Sequence, residues 1–275
     1  MKIALLQNTC GLDKNENIDK AVKYLGQAAA KGADIICFQE LFSTIYFPWH
    51  QLHKYFEWAE HIPGPTTETM MKAAKEHNIN VICPIFELDS EVNGIYYNTA
   101  VVIDREGRIL GKYRKTHIPQ LVGYLEKFYF RPGNLGYPVF DVDGHKVGVY
   151  ICYDRHFPEG PRTLALKGAE LVFIPTCTAI YPELWELELR AHAGFNTMFV
   201  AGVNRCGVEN DEQPGPYFGS ALVANPMGQV IAKASTDEEL TLADIDLDEV
   251  RKRRIVAPFL RDRRPDMYGT LTEFL

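Results

Sequence analysis

Short β-branched runs alternate with helical patterns along nearly the whole of this 275-residue chain. A two-residue period places apolar side chains on alternate faces of a strand, and a 3.6-residue period places them along one stripe of a helix. A chain that keeps switching between the two buries both by laying helices on sheets, which predicts an α/β layered fold. The expected strands are Lys2–Gln7, Asp34–Phe38, Asn80–Phe86, Thr99–Ile103, Arg108–Tyr113, Lys146–Ile151, Leu171–Pro175, Phe199–Asn204, Ser220–Ala224, Gln229–Ala234 and Glu239–Ile245. The expected helices are Asn15–Lys31, Thr66–His77, Pro158–Gly168, Leu184–Asn196 and Leu247–Ile255. Thr66 and Thr67, after Pro63-Gly-Pro65, supply the expected N-cap of the second helix. No Ser/Gly linker or low-complexity stretch divides the chain, so residues 1–275 read as one domain.

The segment Thr99–Lys112 is echoed by Ser220–Lys233, 121 residues later. Each copy reads as a strand, a turn opening on Asp104 or Asn225 and closing on Gly107 or Gly228, and a second strand. Asx side chains initiate such turns, and glycine accepts the positive φ that closes them. Two equivalent half-sheets, each with helices on one face, would stack as a four-layer α-β-β-α sandwich.

Charge narrows the partners. Lys and Arg number 29 against 36 Asp and Glu, a net charge of −7, which excludes a generally basic nucleic-acid binder. The basic runs Arg251–Arg254 and Arg261–Arg264 are interleaved with Glu249, Asp262 and Asp266. That pattern reads as a solvated helix face or a subunit contact, and residues 250–275 are the expected contact of a homo-oligomer, a dimer or larger. No apolar stretch approaches the roughly 18 residues a membrane span needs. Met1 leads directly into a strand-like run without a signal-peptide pattern, which points to the cytoplasm. The six cysteines contain no CxxC pair, so neither a zinc site nor a metal or redox cofactor is expected. Cys37 and Cys83, inside apolar runs, read as small buried hydrophobes.

Three polar residues follow strand ends: Glu40, Lys115 and Cys152. Open α/β sheets bind ligands beyond the carboxyl ends of their strands, so this shared placement is a chemical clue. Cys152 sits where a strand turns toward a helix opening near Pro158, with Arg155 and His156 nearby. Positive potential there would lower the thiol pKa and favour a thiolate nucleophile, and the alternative is another buried cysteine. Glu40 interrupts an apolar run, where a carboxylate is costly unless it is ion-paired or serves as a base with a raised pKa. Lys115 is either a solvated strand end or a functional cation. Strand alternation places His117 on the same face, where it competes as the base of a Cys–His dyad.

Phe38-Gln-Glu-Leu-Phe42, Tyr113-Arg-Lys-Thr-His-Ile-Pro119 and Gly148-Val-Tyr-Ile-Cys-Tyr-Asp154 resemble the three signature blocks of the nitrilase superfamily of carbon–nitrogen hydrolases. The resemblance runs from Met1 to about Gly269 and includes Tyr97–Ala100, Gly168–Leu171 and Arg261–Gly269. It implies the α-β-β-α sandwich and a Glu–Lys–Cys triad: Glu40 takes the thiol proton, Cys152 attacks the carbonyl carbon, and Lys115 with the Tyr153 N–H holds the oxyanion. Glu126 matches a second glutamate that positions substrate or assists in amidase branches. The resemblance leaves His117 a structural role and requires no metal. A nitrilase-fold domain serving only as an interaction partner is disfavoured because all three triad residues are present.

Among the branches, Tyr113–Pro119, Glu126–Phe130 and Arg131–Asn134 look like the carbamoyl-amide group. Ile151–Pro158 and Trp185–Glu188 are most similar to β-ureidopropionases, which cleave N-carbamoyl-β-alanine. The small-molecule substrate expected from this resemblance is an N-carbamoyl amino acid, its carboxylate paired with Arg155 and its surroundings completed by Tyr153 and His156. The alternatives are an N-carbamoylputrescine amidase, which the Tyr124–Phe130 region resembles closely, or an ω-amidase or aliphatic amidase. Arg155 has a structural reading too, as a salt bridge to Asp154 or Glu159.

Overall fold

The structure, a computed structural model, describes residues 1–209, 213 and 215–273. The first half of the chain supplies β1 (Lys2–Gln7), α1 (Lys14–Ala30), β2 (Ile35–Phe38), α2 (Pro65–His77), β3 (Asn80–Leu88), β4 (Tyr96–Ile103) and β5 (Ile109–Arg114). The second supplies β6 (Val139–Val142), β7 (His145–Val149), α3 (Glu159–Leu166), β8 (Leu171–Pro175), α4 (Pro182–Asn196), β9 (Phe199–Val203), the short pair β10 (Cys206–Gly207) and β11 (Tyr217–Phe218), β12 (Leu222–Ala224), β13 (Val230–Lys233), β14 (Glu239–Asp244) and α5 (Asp248–Val256).

The two six-stranded sheets share one topology. The first runs β14-β1-β2-β3-β4-β5 and the second β6-β7-β8-β9-β12-β13. In each, an antiparallel edge strand precedes three parallel strands, and an antiparallel hairpin closes the far side. The echoed segments are those closing hairpins. Asp104 Oδ1 accepts from the N–H of Glu106 and Arg108, and Asn225 Oδ1 from the N–H of Met227 and Gln229. Both hairpins carry an irregularity at matching places, between Val102 and Ile103 and between Val223 and Ala224.

Every strand near the centre is apolar on both sides because it is covered on both sides. In β1, Ala4 and Leu6 pack with Leu25 and Ala28 of α1 and Met70 of α2, whereas Ile3 and Leu5 join the cluster containing Phe173 and Val200 of the second sheet. Strand β1 lies against β9 and β2 against β8, while Leu164, Trp185, Leu189 and Ala193 carry α3 and α4 onto the outer face. The order α-β-β-α is thus the expected sandwich. Each fully buried leucine, Leu25 or Leu189, contributes about 1.5–3 kcal/mol of burial.

Local details depart from the sequence pattern. The second helix is capped by Gly64, not by Thr66 or Thr67. Thr67 Oγ1 accepts the Gly64 N–H at 2.8 Å, and Glu60 Oε2 accepts the Thr66 N–H at 2.8 Å. Strand β7 stops at Val149 rather than Ile151, because the Asp154 carboxylate takes the Ile151 N–H. Strands β6, β10 and β11 are absent from the expected set, being too short for a two-residue period to register.

Candidate active site

Glu40 stands two residues beyond β2 and is fully buried. Its Oε1 accepts from Asn98 Nδ2 at 2.7 Å and from Lys115 Nζ at 2.8 Å. Its Oε2 is buried and has no hydrogen-bond partner among the described residues. A carboxyl group with one oxygen held by two donors and the other bare offers that bare atom as the place to accept a proton.

Lys115 is the first residue after β5, and its backbone is fixed from both sides. Its N–H donates to the Asn98 carbonyl at 2.8 Å, and its carbonyl accepts the Gly133 N–H at 2.8 Å. A Cβ on Gly133 would lie 2.1 Å from the Arg114 carbonyl oxygen, so only glycine lets the two segments touch here. The buried ammonium bridges Glu40 and Glu126, with 2.9 and 2.7 Å to the two Glu126 oxygens. Burial works against its charge, but Cys152, Glu126 and Glu40 overcome it and hold the Lys115 pKa well above the ordinary lysine value.

Glu126 lies in the 3₁₀ turn Glu126–Phe128 and also accepts the Tyr46 hydroxyl at 2.7 Å. One ammonium faces two carboxyl groups in a dry site, so both cannot be ionised without net negative charge. Burial raises the Glu126 pKa to about 7; Lys115 opposes the rise and Glu40 adds to it.

Cys152 occupies the sharp turn that follows β7. Its φ of 51° lies in the left-handed region, a conformation that costs a non-glycine residue about 1–3 kcal/mol and persists only where the surroundings impose it. The following turn, Cys152–His156, makes its first hydrogen bond from Asp154 N–H to the Ile151 carbonyl, so the N–H groups of Cys152 and Tyr153 precede the bonded ladder. The expectation of a lowered thiol pKa is corrected here. Burial and the Glu40 carboxylate push it up to about 12, and Lys115 and Arg155 only partly offset them. The resting group is a thiol, whose Sγ lies 3.6 Å from the Cys177 carbonyl oxygen, and a base must take its proton before it can attack.

Cys152 opens on a narrow cavity of about 110 Å³, walled by Pro119, Leu121, Tyr124, Ile180, Tyr181 and Leu184 and also lined by Tyr153, Arg155 and His156. The structure therefore places Cys152, Tyr153, Arg155 and His156 on one cavity, and Glu40, Lys115 and Glu126 in one hydrogen-bonded cluster that acts electrostatically on the Cys152 thiol. Arg155 pairs with neither Asp154 nor Glu159. Its Nε lies 2.9 Å from Glu188 Oε2, and its Nη1 donates to the Cys152 carbonyl at 3.1 Å. His156 Nδ1 contacts the other Glu188 oxygen. Strand alternation does not carry His117 to the site, because β5 ends at Arg114. The His117 ring contacts Asp154 at 2.7 Å and stacks on Phe157, with centroids 3.7 Å apart.

The sequence gives weaker notice of other contributors. Asn98 is a polar side chain in a buried apolar strand, and Tyr46 is one aromatic among many. Arg205 follows the apolar run of β9 as Lys115 follows β5, which is the signal by which it was detectable. Among the described residues, no group of three or more His, Cys, Asp or Glu side chains converges to hold a metal ion. No helix among them is long and apolar enough to cross a membrane.

The family model described as carbon-nitrogen hydrolase matches residues 2–255. The N-carbamoylputrescine amidase of Solanum lycopersicum is 38% identical, over 98% of this chain and 94% of its own. The β-ureidopropionase of Arabidopsis thaliana is 30% identical, over 98% of this chain and 72% of its own. Among solved structures, the carbon-nitrogen hydrolase from Helicobacter pylori G27 superposes with a TM-score of 0.93 at 34% identity, over 99% of this chain and 98% of that one.

Proposed function

The chain belongs to the carbon–nitrogen hydrolase family and is an amidohydrolase, and on that premise we propose that it cleaves the terminal ureido group of a small N-carbamoyl compound through a Cys152 thioester-type intermediate. One observation carries the reading. A single buried ammonium, Lys115, joins Glu40 and Glu126 within 2.7–2.9 Å, and all three act electrostatically on the Cys152 thiol.

The bare oxygen of Glu40 takes the thiol proton as sulfur attacks the ureido carbonyl. Negative charge develops on the carbonyl oxygen, where Lys115 and the Tyr153 N–H receive it; one such donor is commonly worth about 10²–10³ in kcat. The proton returns to nitrogen, ammonia departs, and Glu40 activates a water that cleaves the S–C bond. The resulting carbamic acid loses carbon dioxide. One ureido compound and one water thus yield one amine, one ammonia and one carbon dioxide.

For the substrate tail, the relatives support the N-carbamoylputrescine reading better than the N-carbamoyl-β-alanine reading preferred on sequence. The physical reason to doubt a carboxylate-binding role for Arg155 is its pairing with Glu188, which leaves little uncompensated positive charge for an anion. The test is ammonia release from N-carbamoylputrescine and N-carbamoyl-β-alanine side by side, with Cys152→Ala as control. Turnover of the putrescine compound, abolished in the control, is the expected result. Preference for the β-alanine compound would return the carboxylate role to Arg155, and activity in Cys152→Ala would overturn the mechanism.

A further inference from the structure

Arg205 is a fully buried arginine that touches none of the groups proposed to react. It follows β9 in the second half of the chain, yet its Nη2 donates to three carbonyls of the first half: Glu40 at 2.8 Å, Leu41 at 2.8 Å and Thr44 at 2.9 Å. Leu41 holds a φ of 53°, a left-handed conformation that a branched side chain disfavours, directly after the carboxylate. A planar guanidinium with fixed donors converging on carbonyls to either side of that bend supplies the constraint such a turn requires.

The counter-ion extends the same clamp. Glu209, buried beside Arg205 and bonded to its Nη1, accepts the Cys10 N–H through Oε1 and the Tyr46 N–H through Oε2, each at 2.9 Å. Tyr46 in turn donates its hydroxyl to Glu126. One ion pair thereby holds the backbone of Glu40 and the backbone of the tyrosine that orients Glu126. Both carboxyl groups lining the Lys115 ammonium depend on it.

We propose that Arg205 and Glu209 are positioning residues for the reaction, setting the placement of Glu40 and, through Tyr46, of Glu126. The proposal rests on the roles given above to those two glutamates. Buried ion pairs contribute little to net stability when intact, so a purely stabilising role would not require this pattern of backbone acceptors.

The test uses the full chain with Arg205→Lys, Glu209→Gln, Arg205→Ala, Glu40→Gln and Cys152→Ala, each checked for folding by circular dichroism. Lysine keeps the charge but offers no planar fork, and glutamine turns one acceptor of Glu209 into a donor facing donors. For both, kcat is expected to fall about a hundredfold with KM within about twofold, since a misplacement of about 1 Å at a reacting group costs that much. Millimolar guanidinium is expected to restore part of the kcat lost in Arg205→Ala and nothing in Glu40→Gln. A folded Arg205→Lys or Glu209→Gln enzyme with wild-type kcat would overturn the proposal, as would loss appearing only in KM. If Arg205→Lys does not fold, Glu209→Gln decides; collapse of both would show that the pair holds the fold rather than the carboxylates, which also overturns it. Full activity in Glu40→Gln or Cys152→Ala would instead overturn the underlying mechanism.

Discussion

Glu126 Oε2 lies 2.7 Å from the Lys115 ammonium, yet the Glu126 carboxyl holds its proton up to a pH of about 7. The attraction of one buried cation does not offset burial while Glu40 shares the same cation. A carboxyl whose folded value is raised contributes stability that is complete below its unfolded value and lost as pH rises through the folded one. Urea unfolding of the native chain should therefore show declining stability between about pH 4.5 and pH 7 from this group. Glu126→Gln, which cannot ionise, should lack that part of the decline. Equal pH dependence in the two proteins would contradict the raised value.

Burial and the Glu40 carboxylate push the Cys152 thiol up to about 12, so near neutral pH it reacts with iodoacetamide only where a base takes its proton. Glu40→Gln removes that base and also the smaller of the two causes of the raised value. Burial, the larger, still holds the thiol protonated, so the alkylation rate at pH 7.5 is expected to fall below native and to rise steeply toward alkaline pH. A native-like rate in that variant, measured by mass spectrometry of the Cys152 peptide, would show that another group takes the proton.

At Gly133 the added methyl of alanine would meet the Arg114 carbonyl oxygen at 2.1 Å and the Lys115 carbonyl oxygen at 2.8 Å. Backbone atoms cannot swing aside, so the segment carrying Lys115 must move. Gly133→Ala is expected to cost about 1–3 kcal/mol of stability, as overpacking does, and to lower kcat more than it raises KM. Thermal unfolding and steady-state kinetics on the same preparation check both halves.

Outer helix α4, the last turn of α5 and the residues after it leave large apolar side chains in solvent: Leu187, Phe195, Ile255, Val256, Met267 and Leu271. Within the basic runs near them, Arg251 pairs with Asp248, Arg261 with Asp262 and Arg264 with Asp266. Surface of this kind is expected to be covered by a second copy of the chain. Light scattering after size exclusion should give a mass of at least twice 31.2 kDa, and a mass near 31.2 kDa would refute this.

Local sequence determined the elements and the places where they stop. Periodicity marks β1, β8 and most other strands, and the polar residue left at a strand end marks Glu40, Lys115 and Cys152, because strand length and polarity are properties of a few adjacent residues. The echoed hairpins were legible for the same reason, their turns being written in Asp104, Gly107, Asn225 and Gly228. What those residues do to one another was decided by contacts across the sandwich. The Cys152 thiol is raised because tertiary packing buries it beside Glu40, outweighing the nearby Arg155 that sequence alone brings to notice. Arg155 meets Glu188 on a helix some thirty residues away, and Arg205 reaches the Glu40 carbonyl across 165 residues of chain. Burial and long-range pairing depend on the assembled layers, and no local pattern encodes them.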